Sequence, residues 1–127
     1  MAAILIVEDD PDNRNLLSGA VAIMGYEILT TDSAEQALRV LDVRTDISLL
    51  VCDICLPGMD GIALSAVVRQ RYPSLKVALV TGDADAAESA ISNGAIAMLK
   101  PYNFTVLTRV IAETLGATSE GSSGDPS

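Results

Sequence analysis

Near its start the chain reads Ala3-Ile4-Leu5-Ile6-Val7-Glu8-Asp9-Asp10-Pro11, five apolar residues followed by three acids and a proline. A strand with one solvated face alternates apolar and polar residues, whereas one covered on both faces is apolar throughout, as here. Glu8 to Pro11 breaks the run, and the periodic segment that follows reaches Met24 before Gly25, a residue suited to the position just past a helix end. The stretch therefore reads as strand, loop and helix.

The same unit recurs down the chain. Tyr26 to Thr31 is a second strand, and Ser33 with Gln36 three residues on is a capping-box start for a helix reaching about Val43. Leu49 to Cys52 is a third strand. Leu56-Pro57-Gly58-Met59-Asp60-Gly61 carries turn chemistry, and Ile62 to Tyr72 has helical spacing until Pro73 stops it. Lys76 to Val80 is a fourth strand, Ala84 to Ser92 a short helix closed by Asn93-Gly94, Ala95 to Leu99 a fifth strand, and Phe104 to Leu115 a last amphipathic helix. Five βα units imply an α/β domain, with a parallel sheet, helices on both faces and right-handed crossovers. This domain is expected over residues 1–116. Residues 117–127, made of Gly, Ser, Thr, Pro and acids, read as a disordered tail or linker remnant.

Composition narrows the chemistry. A chain of 127 residues has one domain's length, and 50% apolar content is enough for a core. The net charge of −9 repels phosphate backbones, so no nucleic-acid binding is expected. No apolar run approaches the ~18 residues of a membrane helix, so the chain is expected to be cytoplasmic and to touch no membrane. With no His in the sequence, any chemistry must run on carboxylates, Lys, Ser, Thr or Cys. Cys52 and Cys55 form a C-x-x-C, but residues three apart in an extended strand face opposite ways, so buried small apolar roles are expected over a redox pair.

Five polar residues sit where strands stop: Glu8 and Asp9 after the first, Asp53 after the third, Thr81 after the fourth and Lys100 after the fifth. In open parallel sheets ligands bind beyond these carboxyl ends, so the five should converge. Each taken alone could cap a helix or solvate a turn. Three carboxylates brought together repel one another, and with oxygen donors and no His the cation that relieves them is magnesium. A carboxylate can also act as a nucleophile and form an aspartyl phosphate, with Lys100 and the Thr81 hydroxyl cancelling charge on the transferred oxygens.

Ile4 to Asp10, Asp53 followed by Leu56-Pro57-Gly58-Met59-Asp60-Gly61, Thr81-Gly82 and Lys100-Pro101, in this order, resemble the receiver domain of two-component response regulators, of the chemotaxis-receiver-like type, over residues 3–116. The resemblance implies a flavodoxin-like (βα)5 fold with strand order 2-1-3-4-5. It implies that Asp53 accepts phosphate, in a Mg2+-dependent reaction, from a histidine kinase or histidine phosphotransfer protein. It also implies that Asp9 and Asp53 hold Mg2+ directly, Glu8 through water, and Cys55 through its backbone carbonyl. Lys100 would pair with the phosphate, Thr81 would follow it on switching, and the Lys100-Pro101 peptide would be cis. Such a domain is a phosphorylated signalling protein that assists its own phosphotransfer and dephosphorylation, not an enzyme acting on a separate substrate.

Three features depart from that family's pattern. Ala97 stands where a switch aromatic is usual. The stretch from Thr81 to Lys100 is shorter than the norm by roughly one helical turn, about 3.6 residues, so the fourth helix should be short or poorly formed. The ending Lys100-Pro101-Tyr102-Asn103-Phe104-Thr105-Val106-Leu107 resembles the Lys-Pro-Phe-x-Phe-x-x-Leu ending of a subgroup of alphaproteobacterial receivers. A haloacid-dehalogenase-like phosphatase needs a second acid two residues after its nucleophile, where Cys55 stands. A phosphorylation-independent pseudo-receiver is opposed by the intact acids, Thr81 and Lys100. The expected output is contact with a downstream protein through the fourth-helix to fifth-strand face, either in a stand-alone regulator or in a receiver belonging to a hybrid kinase or longer regulator.

Overall fold

A computed structural model describes residues 3–54, 56, 58–92, 96–100 and 104–115. The order is β1 (Ala3–Val7), α1 (Pro11–Ile23), β2 (Glu27–Thr31), α2 (Ala34–Val43), β3 (Ile47–Asp53), α3 (Gly61–Arg71), β4 (Lys76–Thr81), α4 (Ala84–Ser92), β5 (Ile96–Leu99) and α5 (Phe104–Thr114). All strand pairs are parallel, in the order β2-β1-β3-β4-β5.

The apolar strands divide their side chains between two cores. Leu5, Val7, Leu50, Cys52, Val77 and Leu79 point to one face, which α2, α3 and α4 cover with Ala37, Leu41, Leu64, Val68 and Ala90. The alternate residues Ile4, Ile6, Leu49, Val51, Ala78 and Val80 point to the other, under Leu17, Ala20 and Val21 of α1 and Leu107 and Ile111 of α5. Continuous apolar strands follow from this two-sided burial.

Local chemistry sets the helix starts. The carboxylates of Asp10 and Asp60 accept hydrogen bonds from the backbone N–H of Asn13 and Ala63 at 3.2 and 2.8 Å. Before α4, Asp83 accepts from Asp85 N–H at 2.9 Å. Gly25 follows α1 with φ of +90°, a backbone conformation that favours glycine. The capping box of α2 is only half as expected. Ser33 Oγ accepts from Gln36 N–H at 3.2 Å, but the Gln36 side chain returns to the N–H of Asp32, one residue upstream, at 3.4 Å.

Three strands differ from the sequence reading. β4 runs through Thr81, one residue past the expected Val80, because Thr81 still pairs with Leu99 of β5. β2 starts at Glu27, not Tyr26. β3 runs from Ile47 through Asp53, beyond the expected Leu49 to Cys52, because its first residue pairs with Ala3 across a register irregularity. The fourth helix is short, as expected, at 9 residues, yet regular. The expectations for Asn93-Gly94, Ala95, Cys55, the Lys100-Pro101 peptide and the tail fall outside the described residues.

Candidate functional site

The site is assembled by strand register. Val7 pairs with Cys52, so the next residues, Glu8 and Asp53, leave the central strands β1 and β3 side by side. Thr81 pairs with Leu99, and the Lys100 N–H then donates to the Thr81 carbonyl at 2.6 Å, carrying Lys100 to the same edge. Lys100 Nζ lies 2.7 Å from Asp53 Oδ2 and 3.5 Å from Glu8 Oε1. One carboxylate oxygen each from Glu8, Asp9 and Asp53 lies within 4.8 Å of the others.

Glu8 and Asp53 are buried and Asp9 is exposed, so the cluster has a closed floor and an open mouth. Glu8 Oε2 accepts from the Asp10 N–H at 3.2 Å. Its Oε1 is buried with no hydrogen-bond partner, because the Lys100 ammonium approaches it only as an ion pair. Burial pushes the Glu8 carboxyl up to about 7; the Asp10 N–H opposes this, the neighbouring Asp53 carboxylate adds to it, and Lys100 opposes it again. For Lys100, burial acts downward, but Asp53 and then Glu8 outweigh it and hold the ammonium above its ordinary value.

These donors fit a small, hard divalent cation. They are carboxylate oxygens of like charge, and one buried oxygen lacks a partner. Cys52 offers no competing chemistry. It is buried, its thiol is pushed upward by burial, and its Sγ contacts the Asp53 carbonyl oxygen at 3.2 Å.

Thr81 is fully buried on this edge, and its Oγ1 accepts from the Asp83 N–H at 3.1 Å, which ties β4 to the turn entering α4. Ala97 pairs with Leu79 and packs half-buried against the core under α4. Two contributors escaped the sequence reading. In the sequence Gly61 shows only as part of a turn, yet a Cβ there would lie 2.5 Å from the Asp53 carbonyl oxygen, so the start of α3 can rest on β3 only with glycine. Arg14 donates from Nη1 to the Glu8 carbonyl at 3.0 Å, and no spacing in the sequence marks it. A cleft of about 510 Å³ between Arg44, Tyr72, Lys76 and Leu115 opens at the opposite, N-terminal ends of β3 and β4, away from the acids.

A doubly wound parallel sheet with an acidic cluster and a lysine at its carboxyl edge defines the class. The family model of the response regulator receiver domain matches residues 4–112, and the chain belongs to that family. The response regulator protein FleR of Pseudomonas aeruginosa is 40% identical over 127 residues, covering 98% of this chain and 27% of FleR. The first relatives found are matched over 21 to 27% of their length, so the chain spans about a quarter of them. A CheY-like receiver domain protein of Methanospirillum hungatei is 27% identical with a TM-score of 0.83, covering 94% of this chain and 98% of that one. The response regulator TrrA of Thermotoga maritima, solved in complex with Mg(2+)-BeF, is 29% identical with a TM-score of 0.82, covering 90% of this chain and 99% of that one. Among the described residues no helix is long and apolar enough to cross a membrane.

Proposed function

We propose that Asp53 is the phosphoacceptor of this receiver and that Glu8, Asp9 and Asp53, with the Cys55 carbonyl, hold Mg2+ beside it. The observation that carries the reading is Lys100 Nζ, 2.7 Å from Asp53 Oδ2, with two further carboxylates against the same side chain. The likeness to TrrA, solved with Mg(2+)-BeF, supports the choice of cation.

In the transfer, a carboxylate oxygen of Asp53 bonds to the phosphorus of a phosphohistidine on a histidine kinase or phosphotransfer protein. The phosphorus–nitrogen bond breaks, and the imidazole keeps the electron pair and leaves neutral, its other ring nitrogen already carrying a proton. Bound Mg2+ supplies charge cancellation on the phosphoryl oxygens. Lys100, already at Asp53, exchanges that contact for a phosphoryl oxygen. The Thr81 hydroxyl gives up its bond to the Asp83 amide as it turns toward the phosphate, and so disturbs the entrance to α4. Residues 1–116 form the receiver unit, which signals by contact instead of turning over a separate substrate. The exposed Ile91, Ile96, Leu99 and Val106 on α4, β5 and α5 support that face as the place where a downstream protein docks.

Incubation with a small phosphodonor and MgCl2 should add a single phosphate by intact mass, and Asp53→Asn should add none. Equal uptake by Asp53→Asn overturns the assignment.

A further inference from the structure

We propose that Arg14 is a positioning residue for the cation site, acting through the backbone of Glu8 to aim the Asp9 carboxylate; this rests on the reading that Glu8, Asp9 and Asp53 hold Mg2+.

Of the three acids, Asp9 is the one the fold holds least. Glu8 and Asp53 are buried, whereas Asp9 is exposed between the end of β1 and the start of α1. The Glu8 N–H still reaches the Thr31 carbonyl at 3.1 Å, and Asp10 is fixed twice, through its N–H to Glu8 Oε2 and through its carboxylate to the Asn13 N–H. The peptide between Glu8 and Asp9 lies between these anchors. Its carbonyl receives the Arg14 guanidinium at 3.0 Å. A peptide unit is planar, so fixing the direction of the Glu8 carbonyl also fixes the Asp9 N–H and the Asp9 Cα beyond it. The direction in which the Asp9 side chain leaves the loop follows from that plane.

Arg14 works from a firm support. Its N–H bonds the Asp10 carbonyl at 2.9 Å, its carbonyl receives Ser18 Oγ at 2.8 Å, and Leu17, Ala20 and Val21 seat α1 in the core. The guanidinium is permanently charged, and this makes the sign of its effect diagnostic. If Arg14 acted only as a charge, it would repel an incoming cation, and removing it would tighten Mg2+ binding. If it acts by orientation, removing it weakens binding even though a positive charge has gone.

Mg2+ binding is measured on the full chain by calorimetry and by melting shift, at constant ionic strength, for wild type, Arg14→Met, Asp9→Asn and the double variant. The net worth of one hydrogen bond sets the scale of both effects: a Kd about three- to tenfold higher in Arg14→Met and a metal-free Tm lower by about 2–5 °C. Because Arg14 acts through Asp9, Arg14→Met should add little further loss in the Asp9→Asn background, a coupling that general destabilisation would not produce. If Arg14→Met fails to fold, Arg14→Gln, equally neutral but with a shorter side chain, is judged by the same criteria. A wild-type Kd that stays the same or falls in the Arg14 variant overturns the positioning role alone. A wild type that does not respond to Mg2+ removes the cation site, and this proposal with it.

Discussion

Glu8 is ionised at neutral pH only against the resistance of its surroundings. Its carboxyl sits at about 7 in the folded protein against an ordinary 4.5, chiefly through burial. Between those values the folded state keeps a proton that the unfolded chain has released, so metal-free stability should fall as pH rises from about 4.5 to about 7. The full shift corresponds to a loss on the order of 3 kcal/mol. Chemical denaturation across this window should show the decline, and Glu8→Gln should flatten it; parallel curves for the two proteins would refute the assignment. Gly61 is the second position where one residue governs the site. A Cβ there meets the Asp53 carbonyl oxygen at 2.5 Å and the Ile54 Cα at 2.8 Å, both backbone atoms that cannot turn aside. Gly61→Ala should therefore cost about 1–3 kcal/mol, as overpacking does, and should slow phosphorylation by displacing Asp53. An alanine variant that melts and phosphorylates like wild type would show that α3 slides at no cost.

Among the described helices, α4 buries the smallest side chains. It has 9 residues, and the side chains it buries, Ala87 and Ala90, contribute single methyl groups. A helix of this length is marginal without packing, and Ala97 places no ring beneath it. Its entrance depends on Thr81 and Asp83, and the Thr81 carbonyl accepts from the N–H of Lys100, whose ammonium meets Asp53. Amides of residues 84–92 should exchange faster than those of α1 and α3 in the unmodified protein, and a beryllofluoride phosphate mimic should change that rate. Full protection of α4 in both states, with changes confined elsewhere, would exclude it as the switching element. That α4 is short could be read from the sequence, as could nearly every element, because runs apolar on both faces and helices ended by Gly25 and Pro73 leave few alternatives. The start of β3 could not, since Ile47 and Ser48 are half-buried, Ile47 is in the strand through its pairing with Ala3 of β1, and Ser48 falls at the register shift. The strand-end acids could be picked out because topology alone sends them to one edge. The Glu8 burial, the 2.7 Å contact of Lys100 and the Arg14 bond depend on register and helix placement, which no local pattern encodes.

Taken whole, the chain carries a net charge of −9, and three of its acids crowd one edge with a single lysine between them. Any added salt screens that excess, so a rise in stability with MgCl2 alone would not identify a site. A bound cation differs in kind. Because only the folded chain brings Glu8, Asp9 and Asp53 together, binding stabilises by RT ln(1 + [L]/Kd), about 1.4 kcal/mol at ten times Kd. For a domain of this size that is a rise in Tm of about 5 °C. At matched ionic strength, wild type should show this rise with MgCl2 over NaCl. Asp9→Asn has two opposing consequences: it weakens the cation site and relieves repulsion in the metal-free protein. The variant should therefore melt no lower than wild type without metal and gain distinctly less when Mg2+ is added. Equal gains in the two proteins would place the magnesium effect in the general charge of the chain and not at the carboxyl edge of the sheet.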